Sequence, residues 1–370
     1  MQRLITRLFA GLMKSWNWVL LVIATIAVKW ISLYPDWIER NYTYRIYPFI
    51  SKMQRILFGW IPFSIGDIFY GFLILVIILK TFQFFQLLFR KKLSKKYFIT
   101  GMQQFIFFFL FVYVFFNLLW GLNYNREGIA AQLHLDVKKY SLADIDSLTA
   151  KLQMRLNEYA PFVNQVQRNS LAKKKKLFTE TYFAFSEASK QHSFLKFSPK
   201  SIKPSLFSYA GNYLGFQGYY NPFSGEGQVN TTIPRFLEPF VAMHEMAHQA
   251  GYAKENEANF VAFLASRNSS SNILLYSLYF NLYSYAIIEI WKKDSLRAKE
   301  LQKQLHPQAI KDFAEMSKFF RKYQNPIEPA INWLYGHYLK ANNQPGGKKT
   351  YNEVVALMIA YYKKYGLESL

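Results

Sequence analysis

The chain has 370 residues, 51% hydrophobic and 19% aromatic, with only 18% charged against a typical quarter, and its formal net charge is +22. That balance is too apolar for an ordinary soluble protein, and the basic residues, scattered or flanking apolar runs with no nucleic-acid motif, point to an anionic bilayer rather than to nucleic acid. The absence of cysteine excludes disulfides and thiolate metal ligands, so any zinc must be held by histidine and carboxylate.

Behind Arg3, Arg7 and Lys14 an apolar run from Trp16 to about Leu33 is too long for a signal-peptide core and lacks a small-x-small cleavage site. It reads as a retained transmembrane helix, about 16–33, whose Lys29, Trp30 and Tyr34 suit the interface. Pro35 to Pro62 reads as a mixed, aromatic loop. A second span is expected at about 65–88, where Asp67 and Lys80 stand near opposite ends. After the basic loop Arg90, Lys91, Lys92, Lys95 and Lys96, no charge appears from Tyr97 to Arg126, and a third span is expected at about 103–122. The basic N-terminus and loop should be cytoplasmic, which places everything after Arg126 outside.

From residue 127 the composition is that of a globular domain, so the chain divides into a membrane domain, 1–126, and an extracytoplasmic domain, 127–370. Ser141 followed by Asp144 reads as a capping box opening a helix with Leu142, Ile145, Leu148, Leu152 and Leu156 at helical spacing. A second helix is expected over about 170–190. Residues 198–239, rich in Gly, Pro, Asn, Ser and Tyr, signal turns and short strands, with Gln228–Ile233 the best strand. It is either an ordinary structural strand or an edge strand that pairs with an extended substrate. Helices follow at Phe240–Gln249, Glu255–Ser266, Asn272–Trp291, Ser295–Tyr323 and Tyr351–Tyr365. Asn272–Trp291 could be a fourth span, but Asn281 and Glu289 favour a buried helix of the domain.

The chain's chemistry centres on His244-Glu245-Met246-Ala247-His248. Histidines four apart share one helical face and can reach one zinc, and Glu245 lies where it can take a proton from a zinc-bound water. The charged residues around the motif argue for an aqueous site rather than an intramembrane one. Glu255 and Glu257 compete for the third ligand position, with Glu255 favoured.

Glu255-x-x-Ala258-Asn259 resembles the Glu-x-x-Ala-Asp pattern of gluzincin metallopeptidases. That resemblance implies zinc ligation by Glu255 and a supporting hydrogen bond from Asn259, whose amide cannot supply the charge of the usual aspartate. Trp120–Arg126, Gly218–Phe223, His244–Gly251 and Glu255–Phe260 together resemble an uncharacterised bacterial membrane family, domain of unknown function 3810. The likeness covers most of the chain and implies a zincin-like extracytoplasmic domain tethered to the inner membrane.

The expected fold is mainly α: three transmembrane helices, then a mostly helical, zincin-like α+β domain with a small strand region before the motif helix. The expected function is that of a membrane-anchored zinc metallopeptidase acting on a peptide or protein in the cell envelope. One zinc ion per chain would be held by His244, His248 and Glu255, with Glu245 as general base and Tyr219, Tyr220 or His337 as candidates to stabilise an oxyanion. The rivals are a non-catalytic zinc-binding envelope protein and, with only Asp67 and Lys80 as intramembrane charges, a transporter component.

Overall fold

The computed structural model describes residues 15–347 and 353–370. Arg3, Arg7 and Lys14, on which the expected orientation partly rests, and Tyr351, the expected start of the last helix, lie outside the described residues. The chain is mainly helical with one three-stranded sheet. It forms two compact units, Met1–Ile50 with Ile65–Arg126, and Ser51–Ser64 with Glu127–Leu370. Division by a single cut after residue 126 misses one feature: Ser51–Ser64 groups with the second unit.

In the first unit, helix Ser15–Ile31 packs against helix Lys95–Leu119, with Trp18 set edge-on to Phe107 at 5.1 Å. Helix Ile65–Phe89 is apolar on every side, the pattern of a segment whose solvent is lipid. Its 25 residues rise about 37 Å, enough to cross a hydrocarbon core of roughly 30 Å. The expected loop from Pro35 is instead helical: Pro35–Trp37, a π-helical stretch Ile38–Ile46 and helix Tyr47–Phe58 follow one another. The buried Glu39 of this stretch takes a two-pronged ion pair from Arg126, at 2.5 and 2.8 Å.

Three described helices are long and apolar enough to cross a membrane, Ile65–Phe89, Lys95–Leu119 and Asn272–Lys293, and the protein is a membrane protein. The last of these differs in kind, because 72% of its most apolar stretch is buried inside the protein. It runs along helix Leu142–Tyr159 in the core of the second unit, where Tyr279 stacks on Tyr159 and Phe280 on Phe313. The Ser141 capping box is present: Ser141 Oγ accepts from the Asp144 backbone N–H, and Asp144 returns the bond to the Ser141 N–H. The single helix expected over Ser295–Tyr323 is two, Ser295–Lys303 and Pro307–Tyr323, because Pro307 has no N–H to continue the first and sits well at the start of the second.

Strand β1 (Ile202–Pro204) lies parallel to β3 (Glu226–Val229), and β2 (Gly218–Asn221) lies antiparallel to β3 on its other side. The expected strand Gln228–Ile233 therefore begins and ends earlier, and it is central rather than at an edge. Both sides of β3 are paired, and β1 and β2 are the edges of the sheet. The motif helix, Glu238–Gln249, is buried at every residue between this sheet and helices Lys174–Gln191, Glu255–Ser266 and Asn272–Lys293.

Candidate metal centre

Pro239 opens the motif helix, and Gly251 ends it with φ of +89°, a left-handed turn that costs a side-chain-bearing residue about 1–2 kcal/mol. The closing bonds, Gly251 N–H to His248 O at 3.0 Å and Tyr252 N–H to Ala247 O at 3.1 Å, satisfy two of the last carbonyls. The chain thus reverses tightly enough for Glu255, first residue of the next helix, to face back onto the histidines.

His244 Nε2 lies 3.0 Å and His248 Nε2 3.6 Å from the same oxygen, Glu255 Oε2. Ligand atoms of all three residues lie within 4.8 Å of one another, and all three residues are buried. Each Nδ1 is held by an acceptor: Asn259 Oδ1 takes the His244 N–H at 2.7 Å, and the Tyr252 carbonyl takes that of His248 at 2.7 Å. With a hydrogen committed to each Nδ1, both Nε2 atoms are the ones left to face a cation. Asn259 therefore supports His244 by hydrogen bonding alone.

Burial works against charge here, yet the cluster is charged. Despite burial, hydrogen bonds from His244 and His248 hold Glu255 well below the usual carboxylate range. Burial alone would depress His248, but the hydrogen bond and charge of Glu255, with Glu245, carry it up to about 9. His244 is pushed down by burial and by the charge on His248, against the pull of Glu255. One carboxylate facing two imidazoles is an arrangement in which a divalent cation can take the place of the proton.

Glu245 is placed differently. Burial pushes its carboxyl up to about 8, and Oε2 is buried without a hydrogen-bond partner. Glycines make room for it. A Cβ on Gly218 of β2 would lie 2.6 Å from Glu245 Oε1, and one on Gly227 of β3 would lie 2.9 Å from Glu245 Cβ. Tyr220 pairs with Gly227 and shares that face of the sheet, whereas Tyr219 alternates to the other face and packs on Phe216 at 5.3 Å.

The remaining candidates lie elsewhere. Glu257 faces Gly128 and Lys254, the latter at 3.6 Å, and is not gathered with the histidines. His337, on helix Glu328–Ala341, is exposed and bonds within its own helix to Trp333 O at 2.8 Å. From that helix Tyr335 reaches the cluster instead, its hydroxyl donating to Glu255 Oε1 at 2.9 Å. Gln344 Oε1 accepts the Glu255 backbone N–H at 3.0 Å. Tyr285, beside Asn259 and Glu255, has its hydroxyl pKa raised by burial and then by the Glu255 charge. No sequence spacing pointed to Tyr335, Gln344 or Tyr285.

The donor set fits a zinc-like cation: two imidazole Nε2 atoms oriented by their fixed Nδ1 hydrogens, one carboxylate oxygen, and a buried unpartnered carboxylate oxygen nearby.

A family model described as "Protein of unknown function (DUF3810)" matches residues 42–359. No curated protein and no solved structure matches the chain.

Proposed function

The chain belongs to that family of unknown function, and, from the site it carries, we propose that the protein is a membrane-anchored, zinc-dependent metallopeptidase. The observation that carries this reading is the arrangement of His244, His248 and Glu255, with Glu245 standing beside the three as a separate, unligated carboxylate. One zinc ion per chain, held by those three residues, would supply a Lewis acid that brings a bound water's pKa towards neutrality and polarises a carbonyl.

The protein's own residues do the rest. Glu245 Oε2 accepts the proton of the attacking water and passes it to the departing amine. Burial pushes the Glu245 carboxyl up to about 8, and a cation held among the neighbouring ligands would lower it again, so that the carboxylate is ionised when it must act as a base. Tyr335 and Gln344 fix Glu255, and Asn259 and the Tyr252 carbonyl fix the rings. As an edge strand, β2 offers backbone groups to an extended peptide, and Tyr220, on the face of Gly218, is the better-placed oxyanion candidate of the tyrosine pair. In this reading the second unit is zincin-like, with a motif helix against a small sheet and an acid supplied from the next helix.

The alternative of a closed, structural zinc site needs a fourth protein ligand. Glu257, the nearest further carboxylate in the sequence, is turned towards Gly128 and Lys254. An open site favours the enzyme.

The reading extends to place. Arg90, Lys91, Lys92, Lys95 and Lys96 between two apolar helices favour a cytoplasmic loop, and so an extracytoplasmic second unit on a bacterial inner membrane. The substrate would then be a peptide or protein of the cell envelope. Metal analysis of the purified full chain tests the first step: about one zinc per chain, lost in His244→Ala and His248→Ala, is expected. Absence of bound zinc in the wild type after loading would overturn the reading.

A further inference from the structure

The segment Ser51–Ser64 is built the wrong way round for a helix lying on a water-soluble domain. Its polar side chains face inward. Gln54 Nε2 donates to Pro222 O at 2.8 Å, and Arg55, 2% exposed, donates to Pro199 O and lies over the Phe197 ring. The Gln228 amide and Ser64 Oγ meet at 2.8 Å. Lys203, ion-paired to Glu226, donates to the carbonyls of Phe58 and Phe63 and so satisfies the end of the helix from within the second unit. The apolar side chains face outward, from 42% exposure at Met53 through Ile56 and Leu57 to 78% at Trp60. Positions 53, 56 and 57 fall three and four apart on one face of helix Tyr47–Phe58, and the exposed Trp60 stands in the turn that follows it. Lys52 is also exposed and long enough to carry its amine to a headgroup.

A contiguous outward apolar stripe on a domain that hides its arginine and glutamine inside needs an apolar partner. The chain itself says which. Ser64 is followed directly by Ile65, the first residue of the 25-residue helix that is apolar all round. The stripe is therefore tethered, without an intervening linker, to a segment long and apolar enough to cross a bilayer. We propose that Ser51–Ser64 is a membrane-embedded foot of the second unit, with Met53, Ile56, Leu57 and Trp60 seated at the boundary between headgroups and acyl chains.

The foot also abuts the strand that borders the candidate centre. A Cβ at Gly225 would lie 2.9 Å from Gln54 Cβ, and one at Gly227 would lie 2.9 Å from Glu245 Cβ. Two residues of chain, roughly 7 Å, separate these contacts.

The chain has no cysteine, so single introduced cysteines can be labelled in the otherwise unaltered protein. Full chain carrying a nitroxide at Leu57→Cys or Trp60→Cys is reconstituted in phosphatidylcholine–phosphatidylglycerol vesicles. Collision with molecular oxygen, which partitions into lipid, is compared with collision with a water-soluble nickel chelate. Ile77→Cys, on the apolar helix, is the lipid reference, and Val166→Cys, 77% exposed, is the aqueous one. The oxygen-to-chelate ratio at 57 and 60 should exceed that at 166 several-fold and approach that at 77. A ratio equal to that at 166 would overturn the proposal, as would shielding from both reagents, which signals cover by protein. Met53→Cys serves as a third position if either label disturbs the helix, judged by circular dichroism.

Discussion

Tyr335 donates a hydrogen bond to Glu255 Oε1 at 2.9 Å across 80 residues of sequence, so the proposed third ligand is fixed by a side chain from a distant helix. With Glu255 Oε2 turned to His244 and His248, both carboxylate oxygens are committed, one to the histidines and one to its support. Tyr335→Phe should leave the fold intact and weaken zinc binding by roughly 10- to 100-fold, the usual cost of removing a supporting bond to a ligand. Competition with a chromophoric chelator measures it, and an unchanged affinity would remove Tyr335 from the site.

Asn259 makes the equivalent test on the nitrogen side. Asn259→Ala deletes the acceptor for His244 Nδ1 and should lower zinc affinity over a similar roughly 10- to 100-fold range, whereas Asn259→Asp keeps an acceptor oxygen and should retain most of it. Equal affinities for the two variants would mean that the 2.7 Å bond does not orient the ring.

Gly218 separates metal binding from catalysis. A methyl group there would stand 2.6 Å from Glu245 Oε1 and 2.7 Å from Val241 Cγ1, so Gly218→Ala must displace the carboxylate without touching a proposed ligand. Zinc content should stay near one per chain while peptide cleavage falls by about 10- to 100-fold, part of the contribution of a well-placed general base. Loss of zinc together with activity would show instead that the sheet supports the ligands.

Stability should carry a signature of Glu238, buried at the start of the motif helix. Burial raises its pKa from 4.5 to about 7, and the bond from Lys174 only partly offsets this. The folded state therefore holds a proton that the unfolded chain has released, and stability should fall as pH rises from about 4.5 to about 7, then level off. Glu238→Gln should flatten this component in denaturant midpoints measured against pH; parallel curves for the two proteins would contradict the assignment.

The sequence disclosed those parts of the site that depend on local geometry. His244 and His248 follow from one helical turn, and the tight return to Glu255 follows from Gly251, whose +89° φ needs no distant information. Tyr335 and Gln344 could not be seen because their contacts depend on how helix Glu328–Ala341 and the turn after it settle on the core, not on spacing. Whether the strand at Gln228 is an ordinary structural strand or an edge open to a substrate was not legible, because the pairing of β3 with β1 and β2 is a long-range matter of register. The stretch from Pro35 to Pro62 was obscured for another reason. Helical spacing is normally read as apolar residues turned inward, and around Arg55 the pattern is inverted.

The central claim is tested most directly by comparing peptide cleavage by the zinc-loaded full chain with that by zinc-loaded Glu245→Gln. Both should bind zinc equally, and the variant should cleave a susceptible peptide about 100- to 10,000-fold more slowly, the range expected for losing a general base. Equal cleavage by the two proteins, or none by a wild type carrying its full complement of zinc across a broad peptide library, would contradict the account.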